Sequence, residues 1–129
     1  DADAIVAAVP TPKPVLSKAH VEGRMLVAMG GDSRTRQLAP EILRDLVILP
    51  DHLQQTLKAG EFRHARADGE LDSVRFARDE NATVLNMGDA ACERLGAVRP
   101  QVVYLTGLAA LDLCAAVMIY EGLRKGRNT

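Results

Sequence analysis

The sequence predicts an α+β domain: a single-layer mixed sheet with an antiparallel meander, packed by helices and closed by a buried C-terminal helix. Three observations lead there. The runs Arg24–Met29 and Gln101–Leu105 are apolar and of strand length. Charged segments flank Asp68-Gly69, a pair that favours a tight hairpin turn. Leu108–Lys125 is rich in good helix formers. The chain divides into an arm with a proline-rich linker, residues 1–14, and one globular domain, residues 15–129. That length buries roughly two thirds of the unfolded surface without metal or disulfide.

The elements follow in order. Ala2–Val9 is a short Ala/Val segment suited to one or two helical turns, and Thr11-Pro12-Lys13-Pro14 enforces an extended linker, because proline fixes φ and disfavours helix in the residue before it. Arg24–Met29 reads as a buried strand ending at Gly30-Gly31. A loop follows, and Pro40 opens the next helix at its first position with Ala39 as the cap. Leu46–Leu49 is a second apolar run. Asp51 then caps a helix over His52–Ala59, with Gly60 as its stop. Glu61–Asp79 reads as a two-stranded ribbon about Asp68-Gly69. A third strand covers Ala82–Met87, and a short helix capped by Asp89 ends at Gly96.

The C-terminal helix carries the strongest packing signal. On a helical wheel, Gly107, Ala110, Cys114, Ala115 and Gly122 form a small-residue side, while Leu108, Leu111, Leu113, Val117, Met118 and Ile119 fill the other directions. A helix apolar on every side has to be covered on every side. Asp112 in mid-run argues against a membrane span, since it costs roughly 2.5–3.5 kcal/mol at a helix centre. Leu108, Leu111, Cys114 and Met118, with Phe62 and His64 on the ribbon, are therefore the expected interface residues.

Sixteen Lys and Arg against seventeen Asp and Glu leave a net charge of −1. No long basic run is present, which removes the electrostatic basis for nucleic-acid binding. Two Phe, two Tyr and no Trp leave little for base stacking. Cys92 and Cys114 read as small core hydrophobes, and a cytoplasmic setting is expected.

Chemistry concentrates in one stretch. After the apolar run, Gly30 and Gly31 let backbone amides approach an anion, Ser33 and Thr35 offer hydroxyls, and Arg34 and Arg36 offer guanidinium forks. These six residues are the candidate ligand site, for a phosphate- or carboxylate-bearing molecule. The spacing matches neither GxGxxG nor GxxxxGK[ST]. His20, His52, His64, Cys92, Cys114 and Ser33 fall into no catalytic or metal-binding spacing, so no catalytic residue, metal or cofactor is assigned. The apolar helix, the arm and the ribbon together favour a non-enzymatic subunit that self-associates or docks on a protein partner. The alternative is a small-molecule domain or enzyme using the Gly30–Arg36 loop.

Overall fold

Alternation along the first apolar segments sends Ile5, Ala7, Leu26 and Ala28 to one side of a sheet and Val6, Met25, Val27 and Met29 to the other. In the computed structural model, which describes residues 2–30 and 32–126 and leaves the side chains of 110–112 and 123–126 undescribed, four strands carry this pattern. They are β1 (Ala4–Ala7), β2 (Met25–Met29), β3 (Ile48–Pro50) and β4 (Val102–Leu105), in the order β1-β2-β4-β3, with every pair parallel. Ala28 sits opposite Ala7 on one side and Tyr104 on the other.

Parallel pairing requires long crossovers. Here these hold α1 (Lys18–Val21), α2 (Pro40–Asp45), α3 (Leu53–Thr56), α4 (Gly60–Ala67) and α5 (Met87–Ala91), with α6 (Ala109–Gly126) after β4. Leu26, Ala28, Ile48, Val102 and Tyr104 pack against Ile42 and Leu43 of α2 and Phe62 and Ala65 of α4. Each large side chain buried there contributes about 2 kcal/mol relative to exposure. On the opposite face Leu49 joins Ala77 and Leu85, with Ala90, Leu95 and Val98 against them. Toward β1 and β2 that face is open, and Val6 and Met29 remain exposed. Backbone bonds from Ile48 to Arg75 and from Ala77 to Ile48 cover the outer edge of β3.

Several expectations are corrected. The fold is not a mixed sheet with an antiparallel meander but a wholly parallel α/β sheet. Residues 61–67, expected as a strand, form most of α4, because Glu61, Phe62 and Ala65 fall on one helical face and are buried together. Asp68-Gly69 ends that helix instead of turning a hairpin. Gly69 has φ of +74°, and a left-handed glycine serves a helix stop as well as a hairpin. Gly60 starts α4 and does not stop the preceding helix. The run expected as a third strand is broken at Ala82, with φ of 62°, and keeps one bridge, Arg78 with Val84. In the segment read as an arm, Ala4–Ala7 is a strand of the sheet.

The described side chains of the C-terminal helix are not buried. Leu113, Met118, Ile119 and Tyr120 are each more than half exposed, at 66%, 73%, 64% and 61%. Among the described residues neither core cluster draws on α6. Both cysteines are free and exposed, where core positions were expected. Three elements stand as read: β2 and β4 lie within their apolar runs, and α2 starts at Pro40 with Ala39 as its cap. Two caps differ: α3 is capped by His52 and not Asp51, and α5 starts at Met87 with Asn86 as its cap and Asp89 inside its first turn. Among the described residues no helix is long and apolar enough to cross a membrane.

Candidate functional site at the carboxyl edge of the sheet

All four strands point the same way, so the residues after them converge at one edge, the place where open parallel sheets hold ligands. Ala8–Pro10 follow β1, Gly30 and Asp32 follow β2, Thr106 follows β4 and Asp51 follows β3. A cleft of about 180 Å³ opens there, lined by Ala8, Val9, Pro10, Met29, Gly30, Asp32 and Thr35. Asp32 is the one titratable residue among them.

The Asp32 carboxylate accepts the backbone N–H of Arg34 and, at 3.1 Å, the Thr35 hydroxyl. The N–H bond from Arg34 does most to hold its pKa below the usual carboxylate range, with the Thr35 hydroxyl helping. Its backbone carbonyl accepts the Gly60 N–H at 2.9 Å, which ties the loop to the first turn of α4.

Asp45 is also held below the usual range, chiefly by Lys18 at 2.9 Å. Both aspartates bind protons less tightly folded than unfolded. Their contribution to stability is therefore full above the ordinary aspartate range and is lost as pH falls through the lower native values. Acid unfolding followed by circular dichroism between about pH 5 and pH 2 should show falling stability, and Asp32→Asn should flatten part of that slope. An unchanged slope in the variant would remove Asp32 from the account.

Beneath the cleft lies a buried polar network. The Tyr104 hydroxyl donates to the Gly30 carbonyl at 2.9 Å and also contacts Glu61 Oε2. Glu61 Oε1 accepts the Gln37 N–H at 2.9 Å. The Gln37 side chain donates to the Met29 carbonyl at 3.0 Å and accepts from the Val9 N–H at 3.2 Å. Burial, then the Glu61 carboxylate, push the Tyr104 hydroxyl far up, so it remains a donor.

Asp51 joins the ends of β3 and β4. Its carboxylate accepts the Thr106 N–H at 2.7 Å and the Thr106 hydroxyl at 2.9 Å. Thr106→Val keeps the shape and removes the hydroxyl, and should cost roughly 1–3 kcal/mol in chemical denaturation. A stability within error of wild type would show that the backbone bond alone holds Asp51.

Some expected ligand residues meet at this cleft and others do not. Gly30 and Thr35 line it. Arg36 turns away to pair with Asp68 at 3.1 Å. Arg34 enters through its backbone N–H, with its side chain exposed. Ser33 faces a separate open cleft with Lys58, Arg63 and Arg66. Gly31 lies outside the described residues.

Of the expected interface residues, Phe62 is buried in the core, stacked on Phe76 and edge-on to Tyr104, and His64 is half-buried. Leu108 is half-buried, Cys114 and Met118 are exposed on α6, and the Leu111 side chain lies outside the described residues. Sequence reasoning gave no site role to Asp32, Glu61, Tyr104 or Thr106, and read Asp51 only as a helix cap. Tyr104 left one usable signal, since a tyrosine at a buried strand position needs a partner for its hydroxyl.

A larger cleft, about 650 Å³, lies between residues 78–85 and residues 89–98, but most of its charges serve local structure. Arg94 pairs with Asp89 at 2.9 Å, and Asp79 accepts the N–H groups of Asn81 and Thr83. Among the described residues no group of three or more His, Cys, Asp or Glu could hold a metal ion.

Comparisons with known proteins bear on the chain as a whole. The model of the ornithine cyclodeaminase/mu-crystallin family matches residues 1–127. No curated protein matches the chain. Among solved structures, an archaeal alanine dehydrogenase, a dimer with bound NAD, is similar with a TM-score of 0.68 and 26% identity, over 96% of this chain and 39% of that one. The chain thus spans about two fifths of that relative's length. The parallel sheet with its helices is of the Rossmann type. These matches overturn the expectation of a non-enzymatic assembly subunit.

Proposed function

This chain belongs to the ornithine cyclodeaminase/mu-crystallin family, and from that premise we propose that it forms the carboxyl-edge part of a nicotinamide-dependent enzyme domain acting on a small amine-bearing substrate. The observation that carries the reading is Asp32: a carboxylate kept ionised by its own loop, at the end of β2, in a cleft otherwise lined by apolar side chains, backbone and one hydroxyl.

The cleft fits a nicotinamide in kind. Val9 and Met29 offer apolar contact to a flat ring, and the strand-end backbone offers hydrogen-bonding groups to a carboxamide. The chain has no GxGxxG, and the contacts proposed here are to the ring end of the dinucleotide. When bound, a nicotinamide supplies hydride acceptance and donation. Asp32 supplies negative charge beside that position. It attracts an ammonium group, stabilises positive charge developing on a substrate carbon–nitrogen unit, and can take up a proton.

The test is a nitrogen–proton correlation spectrum of the labelled chain titrated with NAD. Shifts should cluster at the amides of Val9, Gly30, Asp32, Thr35 and Thr106, and Asp32→Asn should alter the response to an added amino acid more than the response to NAD. Shifts scattered away from the strand ends, or none at saturation, would defeat the reading. Self-association belongs to the same reading, as in the archaeal dimer, with the exposed apolar side of α6 as the surface for it. Light scattering at several concentrations should return a multiple of 13.9 kDa; a mass of one chain throughout would exclude it.

A further inference from the structure

We propose that Glu61 and Tyr104 are positioning residues, a buried clamp that holds the ends of β1 and β2 and so aims Asp32 into the cleft. The inference rests on the reading of Asp32 given above, and it is carried by where the network's bonds end. Glu61 is 2% exposed and Tyr104 0%. Among the described residues no cation lies in salt-bridge contact with Glu61. Burying a carboxyl group without a cation beside it is costly unless hydrogen bonds hold it, so its hydrogen bonds are where its effect lies.

Followed outward, those bonds end on the cleft. Tyr104 holds the Gly30 carbonyl. Glu61 holds the Gln37 N–H, and Gln37 in turn holds the Met29 carbonyl and the Val9 N–H. Val9, Met29 and Gly30 all line the cleft that contains Asp32. Gly60, the residue before Glu61, donates its N–H to the Asp32 carbonyl. The first turn of α4 therefore grips the loop twice, once by backbone and once through the buried carboxylate. The Tyr104 hydroxyl has a single hydrogen facing two acceptors, Gly30 and Glu61, so a change at either acceptor is felt at the other. Close packing adds to this: a Cβ on Gly30 would come within 2.5 Å of the Tyr104 hydroxyl oxygen and 3.1 Å of Gln37 Nε2. The strand end is held against the network with no spare room.

Tyr104→Phe removes the hydroxyl and keeps the ring beside Phe62. Two readings are taken on the intact chain: the titration midpoint of Asp32, from its carboxyl-carbon resonance, and amide hydrogen exchange at Gly30 and Asp32. The expected result is a rise of the Asp32 midpoint by roughly half a pH unit as its loop bonds loosen, with exchange at Gly30 and Asp32 about tenfold faster relative to Ile42 and Leu46 in and after α2. Glu61→Gln, which keeps one acceptor oxygen, should lie between wild type and Glu61→Ala. Thr56→Val is the control, since the buried Thr56 hydroxyl has no hydrogen-bond partner among the described residues; it should alter stability and leave the Asp32 midpoint where it is.

If Tyr104→Phe and Glu61→Gln lower the melting temperature while Asp32 titrates and exchanges as in wild type, the pair is ordinary core and the proposal is overturned. These readings need no bound cofactor. A clamp that passes them in a chain that ignores NAD would refute the proposed function and leave the clamp standing.

Discussion

Gly60→Ala is expected to lower stability by roughly 3 kcal/mol or more, the upper end for an overpacked site. The Cβ would stand 1.9 Å from the Thr35 carbonyl oxygen and 2.7 Å from the Thr35 nitrogen. Both are backbone atoms, so no rotamer change relieves the clash; α4 or the Asp32–Thr35 loop has to move. Because the Gly60 N–H also holds the Asp32 carbonyl, the same movement disturbs the cleft. Two other glycines separate crowding from conformation. Gly122 has open space around it, and Ala there should gain up to about 1 kcal/mol from helix propensity. Gly69 also has open space but a φ of +74°, and Ala there should cost about 1 kcal/mol through backbone strain alone. Urea denaturation of the three variants should rank Gly122→Ala, Gly69→Ala and Gly60→Ala in falling stability. Equal costs at positions 60 and 69 would mean that the contact with Thr35 relaxes freely.

Phe62→Ala should be equally severe, at about 3–5 kcal/mol. Phe62 is 0% exposed. Its ring stacks on Phe76 at 5.6 Å between centroids and meets Tyr104 edge-on at 4.9 Å. Removing it leaves a cavity where α4, β4 and the segment along the edge of β3 meet, and takes two aromatic contacts with it. Phe62→Leu should recover more than half of the loss, measured by the same denaturation. A Phe62→Ala cost below about 1 kcal/mol would place this ring outside the main core.

The sequence was legible where the signal is local. Apolar runs located β2 and β4, and Pro40 fixed the start of α2, because proline is tolerated in the first turn and nowhere deeper. Strand direction is not local. A parallel pair is set by crossovers spanning many residues, and nothing within Met25–Met29 or Val102–Leu105 encodes it. Asp68-Gly69 misled for a definable reason, since a left-handed glycine after a polar residue ends a helix as readily as it turns a hairpin. The deciding pattern was Phe62 and Ala65, three apart, which also fits a helix. The Gly30–Arg36 loop was singled out from glycines and donors, and Asp32, on which the proposed function rests, was left out because the residues were sorted by affinity for an anion. Glu61, Gln37 and Tyr104 come from separate parts of the chain, and only folding brings them under one cleft.

The outer edge of β1 has a consequence for how the molecule can be assembled. No described strand pairs with it, while the far edge at β3 is covered by residues 75–77. That side of Ala4–Ala7 pairs with no strand among the described residues, beside the exposed Val6. A sheet finished on one side and open on the other is divisible. A polypeptide carrying a compatible strand can pair at β1 without breaking any pair among the described strands.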